Sequence, residues 1–178
     1  MAKRKSKPES LYQLKVTLCG SKPPIWRRLI VADNIGLGIL NNVLQISMGW
    51  DGYHLHQYIV GGNYIGVPQP EFDFGLDMID EETVLLKDLL SKPKDNLIYE
   101  YDFGDSWKHK IVLEKILLLD SSKSPIVIKG KMACPPEDCG GLWGYEDLLK
   151  TLKDPKHEEY YDMLDWLGGD FDPKELNL

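Results

Sequence analysis

From residue 11 to 18 the chain alternates, with Tyr12, Leu14, Val16 and Leu18 set against Leu11, Gln13, Lys15 and Thr17. A period of two predicts a half-buried strand. After a glycine and proline turn at 20–24, residues 25–31 read as a second strand able to close a hairpin. The pattern then changes. Leu40, Val43, Leu44 and Ser47, flanked by Ile39 and Ile46, have helical spacing over 37–48, with Asp33 or Asn34 as N-cap and Gly49 at the exit. Gly36 and Gly38 weaken the first turn of that helix. Residues 53–60 and 64–67 read as strands joined at Gly61-Gly62-Asn63, a hairpin signal. Residues 68–80 have no clear period and read as a long ordered loop, and 83–90 as a short strand or a turn of helix. Strands at 97–103 and 107–118 pair through Gly104-Asp105-Ser106, and 126–132 adds another. Two helices follow, one on Tyr145, Leu148, Leu149 and Leu152, the other on Tyr160, Met163, Leu164 and Leu167. Strands first and helices last, without regular alternation, predict an α+β fold: a mainly antiparallel sheet of about five to seven strands, one early helix and two C-terminal helices.

A chain of 178 residues, 43% hydrophobic and 28% charged, fits one globular domain with a single core. Its organisation is read as a basic flexible tail over 1–10 and one domain over 11–178. No run approaches the length of a membrane span and no apolar segment follows the polar start, so the expected compartment is the cytoplasm. Three cysteines, an odd count, predict reduced thiols rather than a disulfide framework. The net charge of -7 argues against a nucleic-acid surface over the whole domain, although Lys3, Arg4, Lys5 and Lys7 could touch phosphates or an acidic partner.

Four segments carry the chemistry. They are Pro23-Pro24-Ile25-Trp26-Arg27-Arg28; Met48-Gly49-Trp50 with His54-Leu55-His56; Tyr101-Asp102-Phe103-Gly104-Asp105-Ser106-Trp107 with His109; and the run from Cys134 to Gly141 with Gly144-Tyr145. In that order they resemble the plasmid open-reading-frame-three-like family, whose members are often labelled passenger proteins of insertion elements. The resemblance covers nearly the whole chain beyond the tail. It implies a compact α+β domain of plasmids, mobile elements and chromosomes, and no particular biochemical activity. Gly36, Gly38 and the Asn41-Asn42 pair depart from it, standing where relatives commonly have better helix formers and a histidine.

Each segment has a chemical and a structural reading. His54 and His56, two apart on an expected strand, would share a face as metal ligands or as a hydrogen-bonded polar face. Cys134 and Cys139 have spacing suited to zinc if histidines complete the set, or they shape a rigid turn into the next helix. A nucleophilic role for either thiol is disfavoured, because Glu137 and Asp138 would raise its pKa. Asp102, Asp105 and His109, with Glu137 or Asp138, could hold a hard ion such as magnesium and position water for phosphodiester hydrolysis; equally, the aspartates could fix a turn over Trp107. Trp26, Arg27 and Arg28 could stack on a base and contact phosphate, or fill the core and pair with acidic loops. The reading that accounts for these residues is a non-catalytic accessory or protein-interaction domain, possible association with mobile elements included, in which the aspartate turn and the cysteine loop share one surface. The alternative is a metal-dependent hydrolase acting on phosphodiesters.

Overall fold

A computed structural model describes residues 9–68, 78–119 and 124–176. The basic residues of the tail and most of the expected loop at 68–80 therefore lie outside the described residues.

The alternating segments form one sheet. Its strands are β1 (Ser10–Leu18), β2 (Trp26–Ala32), β3 (His56–Val60), β4 (Asn63–Gly66), β5 (Met78–Asp80), β6 (Asn96–Tyr101), β7 (Trp107–Leu118) and β8 (Ile126–Lys131), in the order β5-β4-β3-β6-β7-β1-β2-β8. All neighbours are antiparallel except β4 and β5. The α+β class is as expected, and the described residues hold eight strands. The additional one is β5, three residues paired with β4 and too short to show a period.

One face of the sheet is apolar and buried: Leu14, Val16, Leu29, Val31, Tyr58, Tyr99, Tyr101, Trp107, Ile111 and Leu113 all point into the core. Against it pack Leu37, Leu40, Leu44 and Met48 of α1 (Leu37–Met48) and Tyr145 and Leu148 of α3 (Gly141–Thr151). Two further helices are α2 (Leu86–Leu89) and α4 (Tyr160–Leu167). The other face of the sheet alternates to polar side chains, as an antiparallel sheet with one wet side should.

The N-terminus of α1 differs from expectation. Gly36 occupies the cap position without a side-chain hydrogen bond, while the Asp33 carboxylate is drawn to the start of β1, accepting from Ser10 N at 3.0 Å and Ser10 Oγ at 2.9 Å. Gly49 closes the helix in the left-handed region, at φ 85°. Two departures from the family pattern acquire reasons. A Cβ at Gly38 would stand 2.7 Å from Glu82 Oε1 and 3.1 Å from Glu81 Oε1 in the 3-10 turn Glu81–Thr83. Asn41 accepts a 2.6 Å hydrogen bond from the Tyr99 hydroxyl, which itself accepts from Gln45 Nε2 at 2.7 Å.

Candidate functional site

The turn after β6 is built on Asp102. Its Oδ1 accepts the backbone N–H of Gly104 at 2.9 Å and of Asp105 at 3.4 Å, and its carbonyl accepts Ser106 N at 2.6 Å. Asp102 and Ser106 both have φ of 55°, an uncommon conformation for residues with a side chain. The Ser106 hydroxyl reaches back to Glu100 Oε1 at 2.7 Å.

The cysteine loop closes over this turn. Gly140 N donates to Asp105 Oδ2 at 3.2 Å, and a Cβ at Gly141, whose φ is +67°, would stand 2.6 Å from the Asp105 carbonyl oxygen. A Cβ at Gly144 would overlap the Cys139 carbonyl oxygen at 1.7 Å, so the first turn of α3 can seat on the loop only through glycine. Glu137 is a clasp: it accepts from the Tyr101 hydroxyl and, at 2.9 Å, from Asp51 N. Burial, then the bond to Glu137, raises the Tyr101 pKa. Beneath the clasp Trp50 stacks on Tyr101 at 5.2 Å and donates Nε1 to the Pro135 carbonyl at 2.9 Å.

His54, Asp102 and Asp138 meet at the rim of this junction. His54 Nε2 lies 3.1 Å from Asp138 Oδ1 and 3.8 Å from Asp102 Oδ2, and one ligand atom from each residue falls within 4.8 Å of the others. Asp102 is buried, His54 half-buried and Asp138 exposed, so the cluster has an anchored side and an open one. One imidazole with two carboxylates suits zinc, manganese or iron better than magnesium, which favours oxygen donors. Among the described residues it is the only group of three or more potential ligands this close.

The other candidates lie elsewhere. His56 is the first residue of β3, and His54 precedes the strand, so the two rings part company: His56 Nε2 pairs with buried Glu81 at 2.7 Å. His109 is fully buried, not at the aspartate turn; its ring packs edge-on against Trp50 at 5.3 Å, and burial pulls its pKa down to about 4. Asp105 holds Gly140 and Glu137 holds Tyr101, rather than facing the histidine.

The thiols do not join either. Cys134 Sγ sits in the core, 3.0 Å from Met48 Sδ and 3.7 Å from Arg27 Nη2, and burial pushes its pKa up to about 12. Cys139 is also pushed up to about 12, by burial and then by Asp105. All three cysteines are free. No Cys/His tetrahedron assembles among the described residues, and neither thiol has a base to activate it.

Arg27 is buried and, among the described residues, faces no carboxylate: its donors go to the carbonyls of Ser47 at 2.8 Å, Trp26 at 3.0 Å, Lys131 at 3.3 Å and Met132 at 2.9 Å. Arg28 lies on the polar face of the sheet and pairs twice with Glu114, at 2.6 and 2.8 Å. Trp26 lies beside it, half-buried, with Arg28 and Lys15 each 5.2 Å from its ring centre.

A groove adjoins the metal-type cluster on its helical side. It has a volume of about 320 Å³ and is lined by Asp138, Asp147 and Glu159 over a floor that includes Leu148, Met163 and Trp166. Asp147 on α3 and Glu159 at the start of α4 carry no mark in the sequence that sets them apart from the other acidic residues of these helices. The missing signal was three-dimensional, the approach of α4 to α3.

The fold recurs in a crystal structure. A crystal structure of a protein of unknown function, MM3350 from Methanosarcina mazei Go1, is similar with a TM-score of 0.86 and 39% identity, covering 98% of this chain and 97% of that one. The uncharacterized protein y4hQ of Sinorhizobium fredii is 36% identical over 171 residues, 95% of this chain and 87% of its own length. No helix among the described residues is long and apolar enough to cross a membrane. The model of the plasmid pRiA4b ORF-3-like proteins matches residues 10–178, and the chain belongs to that family.

Proposed function

We propose that this chain is an accessory interaction domain that captures a lysine- or arginine-bearing segment of a partner protein in the groove between the cysteine loop, α3 and α4. The observation that carries this reading is the juxtaposition of Asp138, Asp147 and Glu159 with Leu148, Met163 and Trp166. Long cationic side chains lay their methylene stems on apolar surface and extend the charge to its edge, and a ring of carboxylates supplies the complementary potential. The setting, accessory to a mobile element, is supported by the plasmid in the family's name. A labelled peptide alternating arginine and leucine, titrated while Trp166 fluorescence is followed, should bind saturably. An Asp138→Lys, Glu159→Lys double variant should lose that binding while keeping its thermal transition. Absence of saturation with the unaltered chain would reject the reading.

The convergence of His54, Asp102 and Asp138 favours a second reading, a metal-dependent hydrolase of phosphodiesters. These three residues would hold the ion and leave its remaining positions to water, which the metal would acidify into a nucleophile. Calorimetric titration with Mn²⁺ or Zn²⁺, together with turnover of bis(p-nitrophenyl) phosphate, tests it. Metal uptake and turnover should both vanish in Asp102→Asn; a chain that takes up neither ion is not this hydrolase.

A further inference from the structure

The polar face of the sheet, turned away from the helices and from the groove, has a charge opposite to that of the chain as a whole. Register fixes which residues share it. Thr17 stands opposite both Lys110 and Trp26, and Trp26 opposite Lys131; in the next row Lys15 stands opposite both Val112 and Arg28, and Arg28 opposite Lys129. Lys108, opposite Glu100, completes the set. Six cations thus lie on four adjacent strands, β7, β1, β2 and β8, a width of about 14 Å at the usual strand spacing.

Among the described residues two carboxylates share the face, and both are engaged: Glu114 with Arg28, and Glu100 with Lys108 at 3.5 Å. Among the described residues no carboxylate lies within ion-pair distance of Lys15, Lys110, Lys129 or Lys131. Lys108, Lys110, Lys129 and Lys131 are exposed, and Lys15, Trp26 and Arg28 are half-exposed. A chain with net charge -7 has therefore gathered cations on one sheet face, and Trp26 stands among them with Lys15 and Arg28 lying over its ring.

We infer that this face binds single-stranded nucleic acid, with the lysines meeting phosphates and Lys15 swinging from the Trp26 ring to a phosphate so that a base can stack in its place. The chemistry is that of sheet platforms, in which a flat strand surface spreads unstacked bases over aromatic rings while flanking cations neutralise the backbone. A duplex offers no free base face to Trp26, and an anionic lipid surface offers charge but no planar ring to stack on it. The inference is independent of the proposed groove, which lies on the helical side and has the opposite charge.

The test is fluorescence anisotropy with a labelled oligothymidylate of about 15 nucleotides, beside the matching duplex and phosphatidylserine vesicles. The single strand should bind best. Its affinity should fall about fiftyfold between about 50 and 200 mM salt if four phosphates are met. Lys129→Glu with Lys131→Glu, both exposed on an edge strand, should weaken binding about tenfold or more and flatten the salt dependence. Trp26→Ala should weaken it about tenfold with the salt dependence unchanged, because stacking releases no counterions. Circular dichroism checks that each variant is folded. No binding at low salt, equal or tighter binding of the duplex or vesicles, or full affinity in the folded lysine variant would each overturn the inference.

Discussion

Two of the turns that reverse the chain between neighbouring antiparallel strands are built from opposite materials. Between β3 and β4 the positive φ angles belong to Gly61 and Gly62, at 56° and 85°, with nothing within 4 Å of where either Cβ would stand. Between β6 and β7 the same region of backbone space is occupied by Asp102 and Ser106, and each side chain is engaged, one with backbone N–H groups and near His54, the other with Glu100. Glycine would have been the easier choice. Where a chain accepts strain of about 1 to 3 kcal/mol per residue to keep a side chain, the side chain has a task, and such positions concentrate at functional sites. The first turn is a connection. The second is a scaffold on which the cysteine loop is seated.

Alanine replacements should break this contrast most visibly. Gly141→Ala adds a Cβ in the left-handed region and drives it into the Asp105 carbonyl, so it should lower stability by about 3 kcal/mol or more in urea unfolding. Gly61→Ala meets no atom and should lose only about 1 kcal/mol from its backbone conformation. Comparable losses would erase the distinction between the turns.

The strand leaving the second turn should add a pH dependence of its own. His109 has a folded pKa of about 4, below its unfolded value of about 6.5, so the unfolded chain binds the extra proton between them. Its contribution is fully present above the unfolded value and is lost as pH falls from about 6.5 towards 4. Between pH 7 and 5 the loss should be about 2 kcal/mol, and His109→Gln should remove most of it from the difference in urea midpoints. The finest test is at Asp102. Asn tolerates positive φ and keeps an acceptor oxygen, so Asp102→Asn should change stability by less than about 1 kcal/mol, while Asp102→Ala should lose about 2 kcal/mol. Thermal denaturation of the two variants distinguishes the charge from the turn.

Much of this fold was legible because period reports burial. The range 37–48 for α1 is that of the helix itself, and β1 begins one residue before the alternation at 11–18. The site was legible as segments but not as partners. The two-residue spacing of His54 and His56 implies a shared face only if both belong to a strand, and pairing with β6 begins at His56. His109 could have been placed: Trp107, His109 and Ile111 alternate with Lys108 and Lys110, and the lysines mark the wet side. The partners of Asp33 were not readable, because a carboxylate near a helix start is equally satisfied by the first residues of a strand far away in sequence. Tyr101 and Trp50 stood inside the quoted segments, yet their roles under the cysteine loop depend on contacts across the fold.

Arg27 ties the end of α1, the end of β8 and the cysteine loop to one guanidinium, and Cys134 lies directly against it. The carbonyls that hold the guanidinium belong to α1, β2 and the end of β8, so the seat against which Cys134 packs should open only with the body of the domain. That makes Cys134 a native clock: a thiol-specific reagent can reach it only at the frequency of that concerted opening, and the rate of its modification measures how often the whole structure comes apart.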